Sequence, residues 1–372
     1  MGDKLLKNED KLIYLFSRLE ISESGLKEIK DALSKPLDFK RLKDTAAKQQ
    51  VYQFLYYNLN KLGLNALIPA KILDEAKSAY YANLARNLAL EREVSLISEK
   101  AEAKGVSFIP FRGISMIYGV YNNPGLRQMA DIDILIKPED SSGIKNILLE
   151  MGYREYDSKG HSMDDGSITS FSKKISGNLT IFIEPHTMIA SPRPYKIELP
   201  HLWKRSVQVN IDNKKILILS KEDMILSISL HLRRHTRRLI LKSIIDVAEI
   251  LNAGKNTLDW NYIIKYAGDN SMASSLYLSL YLAKELLGAT APSDTMNRVK
   301  PNRIKDFLIR MAVNRHNFFY LQTWRGTLLR LLIFDTFKDF IYYLWRIVFL
   351  KIIFKTKTPA VIPKNKSETI KK

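Results

Sequence analysis

The sequence predicts an α+β fold in which a small mixed-sheet domain lies between two helical regions. Through most of residues 1–100, apolar residues recur every three or four positions, which is the period of a helix. Between 101 and 220, short apolar runs alternate with turn residues and helical segments, as in an α/β unit. From Lys221 the helical period returns. We expect an N-terminal helical region (1–100), a mixed-sheet domain (101–220), a helical domain (221–300) and an aromatic, basic extension with a disordered tail (301–372).

Five segments of the central domain have strand-like sequences bounded by turn residues. They are VSFIPF (106–111), ADIDILI (130–136), SITSFSKKIS (167–176), LTIFIEPH (179–186) and KKILILS (214–220). Gly177 and Asn178 separate the third from the fourth, which indicates a hairpin. Two helices are expected among them, GISMIYGVYN (113–122) and PEDSSGIKNILLEMG (138–152).

Composition narrows the classes of function. The 372 residues include 58 Lys and Arg against 39 Asp and Glu, a formal net charge of +19 that favours polyanionic partners such as nucleotides, RNA or an acidic membrane surface. The absence of cysteine excludes disulfides, thiolate metal sites and a cysteine nucleophile. The N-terminal residues have scattered charges and no uninterrupted apolar run, unlike a signal peptide. We therefore expect a cytoplasmic protein.

The segment LRQMADIDILIKPED carries two aspartates, Asp131 and Asp133, one residue apart in an apolar run. Alternate residues of a strand point to the same face, so both carboxylates would lie together. Such a pair can hold a hard divalent cation, for which carboxylates are the preferred protein ligands. Two exposed acids on a half-buried strand would give the same pattern.

Residues on both sides of the pair favour the metal interpretation. Gly113 and Ser115 lie where a strand becomes a helix, where backbone N–H groups and a hydroxyl can bind phosphate. Glu184, at the end of a later strand, would supply a third carboxylate. Three acids are what a two-metal phosphoryl- or nucleotidyl-transfer site requires.

The segment FRGISMIYGVYNNPGLRQMADIDILIKPEDSSGIKNILLEMGY resembles the core of a family of largely uncharacterised prokaryotic nucleotidyltransferases in the DNA polymerase β superfamily. Arg127, Asp131 and Asp133 fit its motif directly, and the resemblance continues at FIEPH and through the helical part after Ser220, over roughly residues 50–295. Two positions depart from the pattern: Arg112 stands where the family usually has lysine, and Glu184 where aspartate is more usual.

The resemblance implies a nucleotidyltransferase fold and a mechanism. Asp131, Asp133 and Glu184 would bind two Mg²⁺ ions, or Mn²⁺ in their place, and act as the catalytic acids. A nucleoside monophosphate would pass from an NTP to a hydroxyl or phosphate acceptor, with release of pyrophosphate. The residues expected to contact the nucleotide are Arg112, Gly113, Ser115, Arg127, His186, His231, His235, Lys242 and Asp246. The acceptor could be a small molecule, a sugar phosphate, a protein or tRNA.

Polar residues recur every three or four positions from 222 to 252, which predicts one long helix with a polar stripe. They are His231, His235, Arg238, Lys242, Asp246 and Glu249. The stripe is either a solvated face or a wall facing the substrate, and the resemblance favours the wall. The patch RRHTRR within it could contact a triphosphate or an RNA backbone, or be a solubilising surface.

The apolar stretch within 328–355 is interrupted by charges too often to span a bilayer, which needs about 20 apolar residues. It predicts an amphipathic helix that packs on the protein or lies in a membrane interface, which would place the protein at the inner face of the membrane. The polar face would carry Asp335, Lys338, Asp339, Tyr342 and Arg346.

Two alternative functions stay open at this stage. A D-x-D after a strand also occurs in metal-dependent glycosyltransferases, although that function would leave Gly113, Ser115 and Glu184 without a role. The other alternative is a non-catalytic protein that binds RNA or a membrane surface on a degenerate nucleotidyltransferase fold.

Overall fold

A computed structural model describes residues 6–156, 169–177, 179–190, 195 and 197–345. Residues up to Asp335 form one compact unit, and those from Thr336 onwards form a second. The described part of the second unit is helical over 337–345. Helices surround a mixed sheet in the first unit, which confirms the α+β class.

The N-terminal region is helical, as predicted. Its helices are α1 (Asn8–Phe16), α2 (Glu23–Leu33), α3 (Phe39–Lys48), α4 (Tyr52–Lys61) and α5 (Ala70–Ala103). The apolar faces of α1 and α4 join the C-terminal helices in one large hydrophobic core. The last part of α5 instead packs on the sheet, through Leu90, Val94 and Ile97. The longest helix therefore contributes to both cores.

The sheet contains five strands among the described residues. They are β1 (Phe108–Pro110), β2 (Ile132–Ile136), β3 (Arg154–Tyr156), β4 (Ser170–Ser176) and β5 (Leu179–His186), in the order β1-β2-β5-β4-β3. β2 and β5 are parallel, and the other pairs are antiparallel. Four of these strands were expected from the sequence, and β3 was not. The hairpin between β4 and β5 is present, with Gly177 at φ +49°, and Asn178 lies outside the described residues.

Helix α6 (Gly113–Met116) continues into a π-helical turn (Ile117–Tyr121) between β1 and β2, and α7 (Ser141–Glu150) follows β2. After α8 (Leu199–Arg205), a separate hairpin joins β6 (Val207–Ile211) to β7 (Lys214–Ile218). The turn residues Asp212 and Asn213 both have positive φ, the geometry of a tight two-residue hairpin. Of these two strands the sequence pattern predicts only β7, although VQVNI (207–211) also alternates as a strand does.

The prediction of one continuous helix over 222–252 is wrong. Helix α9 (Lys221–Arg234) ends before a 3₁₀ turn at Thr236–Arg238, and α10 (Leu241–Ala253) begins anew. The backbone N–H of Leu241 donates to Gln49 Oε1 at 2.7 Å. In a continuous helix this N–H would instead donate to a backbone carbonyl of the preceding turn. Helical periodicity continues across such a break and cannot reveal it.

Five further α-helices follow α10 in the described part of the first unit. They are α11 (Trp260–Asp269), α12 (Ala273–Leu287), α13 (Ser293–Val299), α14 (Arg303–Ala312) and α15 (Thr323–Leu332). Gly326 lets α15 approach the 3₁₀ turn closely, because a Cβ there would lie 2.4 Å from the carbonyl oxygen of Thr236.

The amphipathic helix predicted within 328–355 is also not continuous. Helix α15 ends at Leu332, and the Asp335 carboxylate accepts hydrogen bonds from the backbone N–H groups of Ala273 and Ser274, both at 2.7 Å. Asp335 therefore binds the first turn of α12 instead of extending a polar helix face. Residues 346–372, with the rest of the predicted helix and the tail, lie outside the described residues. Within the described part of the chain, no helix is both long and apolar enough to cross a membrane.

Candidate active site

Side chains of α5 bind the segment that leads into β2. Asn87 Nδ2 donates to the carbonyl oxygens of Pro124 at 2.5 Å and Arg127 at 2.7 Å. One turn earlier, Asn83 Nδ2 donates to the Gly125 carbonyl at 2.9 Å. Because these asparagines lie four residues apart, they occupy one face of α5, and that face fixes the path of the chain towards Asp131.

Arg86 lies between these asparagines and binds the next part of the same segment. Its Nε donates to the Met129 carbonyl at 3.0 Å, and its Nη2 donates to the Ala130 carbonyl at 2.7 Å. A loop normally satisfies its carbonyls with water or its own turns, whereas here a helix outside the sheet does so. The sequence predicts α5 only as a helix, without a role at the site, because a polar helix face does not indicate which segment it contacts.

The three acids expected to bind metal converge at the centre of the sheet. Asp131 immediately precedes β2, Asp133 lies within it, and Glu184 lies opposite Asp133 on the parallel neighbour β5. Burial raises the pKa of Asp131 to about 6, helped by the negative charges of Asp133 and Glu184. Like charges held this close disfavour full ionisation unless a cation joins them.

Asp133 has two protein partners of its own. Arg112 Nη1 donates to Asp133 Oδ1 at 3.0 Å, and His186 Nε2 lies 3.0 Å from the same oxygen. Burial opposes ionisation of Asp133, but the charge of Arg112 and the His186 hydrogen bond hold its pKa below the ordinary value. The site therefore keeps Asp133 as a carboxylate.

Asp133, Glu184 and His186 place potential ligand atoms within 4.8 Å of one another. Mg²⁺ prefers oxygen, so the carboxylates of Asp133 and Glu184 fit it better than the imidazole of His186 does. A histidine that bonds to a ligating carboxylate more often orients that ligand than replaces it. Asp131 lies outside this close group, but burial and the charges of its two acidic neighbours raise its pKa.

The turn before α6 places Arg112 and Gly113 beside the acids. Arg112 has φ +58° and ψ −100°, a conformation that strains a non-glycine residue by about 1–3 kcal/mol. A Cβ on Gly113 would lie 2.4 Å from Met129 Sδ, so any other residue there would displace the Met129 side chain. The strained turn directs the Arg112 guanidinium towards Asp133.

Ser115 does not join this group. Its side chain is fully buried, and its hydroxyl donates to the Pro110 carbonyl at 2.6 Å. The bond ties α6 to the end of β1, so the placement does not support the predicted phosphate contact. A serine that follows a turn glycine gives no sequence signal to separate these two roles.

A cleft of about 190 Å³ lies at the acids. Of the predicted site residues, its lining contains Arg112, Gly113, Arg127, Asp131, Asp133, His231, Lys242 and Asp246. Within the part of the chain that the structure describes, Ser115, Glu184, His186 and His235 are not among the lining residues. Helices α9 and α10 supply the wall that faces β2.

The predicted polar stripe does not form one wall. His231 lines the cleft, and burial together with the charge of Arg112 holds its pKa well below the ordinary value, so the ring is neutral. His235 is exposed, although its ring lies 4.4 Å from that of His231. Glu249 is buried and accepts a hydrogen bond from the Leu19 backbone at 3.1 Å. The break between α9 and α10 separates these residues.

Lys242 and Asp246, one turn apart on α10, do face the cleft. Burial and the charge of Arg127 lower the pKa of Lys242 to about 8, and its Nζ donates to the Gln128 carbonyl at 3.1 Å. Asp246 is almost fully buried and binds the Arg127 guanidinium. Lys242 therefore brings a cation to the wall opposite Arg112.

A family model described as uncharacterised nucleotidyltransferase matches residues 35–288. The chain belongs to this family. The match extends from α3 to the end of α12, so it includes the α5 face that holds the site as well as the acids themselves. This nucleotidyltransferase is accordingly an enzyme of the nucleotidyl-transfer class, as the resemblance of its D-x-D segment implied.

Solved structures similar to this nucleotidyltransferase are distant. ANT(2")-Ia in complex with adenylyl-2"-tobramycin shares 12% identity, with 49% of this chain and 96% of that chain covered and a TM-score of 0.34. An antigenic nucleotidyltransferase-like protein from Paracoccidioides brasiliensis shares 15% identity, with 56% and 95% covered and a TM-score of 0.38. No curated protein matches the sequence.

Proposed function

We propose that this enzyme transfers a nucleoside monophosphate from an NTP to a hydroxyl or phosphate acceptor and releases pyrophosphate. The observation that carries the proposal is the convergence of Asp131, Asp133 and Glu184 on one part of the sheet, beside the Arg112–Gly113 turn. Three carboxylates next to a cationic turn can bind a substrate that carries both phosphate groups and a metal ion.

Mg²⁺ fits the donor set, and Asp131, Asp133 and Glu184 would hold it. When bound, Mg²⁺ neutralises phosphate charge and polarises the attacked phosphorus. Burial and the repulsion of Asp133 and Glu184 raise the pKa of Asp131, and that repulsion favours a divalent cation at this position. Two ions, with Mn²⁺ as a substitute, are part of the proposal.

The remaining residues have separable roles in this proposal. Arg112 supplies positive charge to the phosphates while its bond to Asp133 fixes its direction. Lys242 supplies a second cation from α10. His186 orients Asp133, and Glu184 accepts the proton of an attacking hydroxyl. Arg127 and Asp246 bind each other, and their ion pair fixes the shape of the cleft.

The test uses [α-³²P]NTP, Mg²⁺ and candidate acceptors drawn from a small-metabolite extract and from tRNA. Asp131→Asn and Asp133→Asn should each reduce labelled product and pyrophosphate release by more than about a hundredfold, because charge stabilisation in the transition state is lost. Asp269→Asn, an exposed change on α11, is the matched control.

Circular dichroism and urea unfolding should report a native fold for both variants. Full product formation by two folded variants would contradict the site assignment. Product in the tRNA arm alone would instead assign the acceptor to RNA, and product in the metabolite arm alone would assign it to a small molecule.

A further inference from the structure

Three long stretches of the chain contain no aspartate or glutamate. They are residues 45–73, 224–245 and 307–334, and they carry three, five and four lysines and arginines respectively. Far apart in space, such stretches would be basic only locally. Where a fold brings them together, they form a surface of one sign, and such a surface attracts polyanions.

The turn between α9 and α10 is the point at which the three stretches meet. At the end of α3, Gln49 accepts hydrogen bonds from the backbone N–H of Leu241 at 2.7 Å, through its side chain, and of Lys242 at 3.3 Å, through its carbonyl. On another side α15 lies against the same turn, where Gly326 leaves its backbone room beside Thr236. None of the three stretches brings a carboxylate to this region.

Five residues around the turn make up what we call the basic rim. Lys48 is the last residue of α3, Arg237 and Arg238 belong to the 3₁₀ turn, and Trp324 and Arg325 lie in the first turn of α15. Arg325 is half-buried and the other four are exposed. Within the described chain none of the four cations forms an ion pair, so no carboxylate neutralises them.

The basic rim lies at the edge of the cleft that holds the acids. His231, near the end of α9, lines the cleft, as do Ile240 and Lys242 around the start of α10. The turn that joins these two helices therefore borders the cleft. Among the described residues, Arg237 and Arg238 are not part of the lining, so a triphosphate inside the cleft does not account for them.

The rim combines guanidinium groups with an exposed aromatic ring. Arg237 Nε donates to Thr327 Oγ1 at 3.1 Å, which anchors this side chain against α15. The Trp324 side chain is 57% exposed, its indole N–H donates to Gln322 Oε1, and the Arg325 guanidinium lies 5.3 Å from the centre of the ring. Guanidinium groups bind phosphates in a fixed geometry, and an exposed tryptophan offers a surface on which a base stacks.

An anionic membrane would be attracted by the same charges, but it fits this surface less well. Binding in a membrane interface needs a broad apolar face. The residues before Trp324, Gln322 and Thr323, are exposed and polar. A membrane also has no need to reach the edge of the cleft, whereas an acceptor must do so. Positive charge with an aromatic ring is instead the combination that binds single-stranded nucleic acid.

We propose that the basic rim binds a single-stranded nucleic acid, RNA or DNA, whose 3′ end enters the cleft as the acceptor. Lys48, Arg237 and Arg238 contact the phosphates, and Trp324 stacks on a base. The 3′-hydroxyl oxygen forms a bond to the α-phosphorus of the NTP, its proton passes to Glu184, and the bond to the departing pyrophosphate breaks. The inference rests on the proposed function and names the acceptor that this function leaves open.

The first test measures binding of 5′-fluorescein-labelled single strands, one of RNA and one of DNA, by fluorescence anisotropy. Affinity for at least one strand should fall about tenfold or more between about 50 and 200 mM salt, because three phosphate contacts release counterions. Arg237→Gln/Arg238→Gln should bind about tenfold more weakly at the lower salt and show a smaller salt dependence. Arg154→Gln/Arg303→Gln, which removes two exposed arginines outside the rim, should bind as the wild-type enzyme does.

Two variants of Trp324 separate stacking from charge. Trp324→Ala should weaken binding about fivefold or more at every salt concentration, because stacking is lost while the charge is unchanged. Trp324→Phe keeps an aromatic ring and should retain most of the affinity. Circular dichroism should report a native fold for each variant of the rim.

The second test incubates the same strands with Mg²⁺, the four NTPs and the wild-type enzyme, and separates the products on a denaturing gel. The strand with a free 3′-hydroxyl should become longer, and the same strand with a 3′-phosphate should not. Extension of the RNA or of the DNA strand identifies which of the two is the acceptor. The folded double variant Arg237→Gln/Arg238→Gln should extend the strand less at low strand concentration.

The remaining outcomes separate this inference from the proposed function. Binding to phosphatidylserine vesicles without binding to either strand would overturn the inference in favour of a membrane. Equal affinity of the rim and control variants would overturn it too, as would transfer to small metabolites without extension of a strand, and in both cases the proposed function stands. If the wild-type enzyme labels no acceptor, the proposed function fails and the acceptor role of the rim fails with it.

Discussion

The guanidinium of Arg127 and the carboxylate of Asp246 form a buried, two-bond ion pair. Arg127 Nε lies 2.9 Å from Asp246 Oδ1, and Nη2 lies 2.8 Å from Oδ2. The Tyr121 hydroxyl donates to Oδ1 at 2.8 Å, so a third element joins the pair. The contact links the segment before β2 to α10 and thereby closes the cleft between the sheet and the C-terminal helices.

Asp246→Asn should lower the free energy of unfolding by about 3 kcal/mol or more, because it leaves the Arg127 charge buried without a counter-ion. Urea unfolding of the two proteins measures the difference. In the double variant Arg127→Met/Asp246→Leu no charge stays buried, so most of the lost stability should return. Equal stability of Asp246→Asn and the wild-type enzyme would show that the pair does not hold this contact.

Asn87→Asp should weaken the hold of α5 on the segment before β2. The substitution keeps the shape but replaces the donating NH₂ group with a carboxylate, which faces the carbonyls of Pro124 and Arg127. We expect a loss of about 2–3 kcal/mol in the free energy of unfolding and faster hydrogen exchange at residues 131–133. Asn297→Asp, exposed on α13, controls for the added charge. Unchanged exchange in Asn87→Asp would argue against this role for α5.

Gly113→Ala should impair nucleotide binding more than folding. The new methyl group would overlap Met129 Sδ, the end of a flexible side chain, and displace it within the cleft that both residues line. We expect Mg²⁺·NTP affinity to fall about tenfold or more, with a loss in unfolding free energy of about 1–3 kcal/mol. Gly268→Ala, where a Cβ meets nothing within 4 Å, is the matched control. Calorimetry that finds full affinity in Gly113→Ala would contradict the close-approach argument.

Asp306 should give the stability of the C-terminal helices a pH dependence. Burial opposes its ionisation, but hydrogen bonds from Tyr277 and Arg310 hold its pKa below the ordinary 3.8. The carboxylate therefore stabilises the fold above that pH, and the contribution is lost as pH falls through the lower pKa of the folded state.

Asp306→Asn should accordingly be less stable by about 1–2 kcal/mol near neutral pH, with a difference that narrows below about pH 4. Urea unfolding across this range tests the prediction, and Asp74→Asn, exposed on α5, should follow the wild-type curve. A difference that stays constant with pH would exclude the carboxylate charge as its cause.

Local patterns were enough to predict β2 and the two aspartates at its start. Asp131 and Asp133 interrupt an apolar run at the spacing of one strand face, and the resemblance of the surrounding segment identified the class of enzyme. The hairpin before Glu184 was also predicted from the sequence, and Gly177 occupies its turn with positive φ. In each case the deciding interaction lies within a few residues along the chain.

Other features depended on distant partners. Asp335 binds the start of α12, 62 residues earlier in the chain, instead of extending the polar face of a helix. The break between α9 and α10 depends on Gln49, almost two hundred residues earlier in the chain.

By itself, the sequence determined the α+β class, most of the strands and the acids proposed to bind metal, because each follows from periodicity or from a short motif. Only the tertiary structure decided that α5 holds the segment before β2, that Arg127 binds Asp246, and that the N-terminal helices line a cavity beside the segment that leads to the acids. The physical reason is that a side chain's hydrogen-bond partner is set by the packing of distant elements, which the order of residues along one helix or strand does not encode.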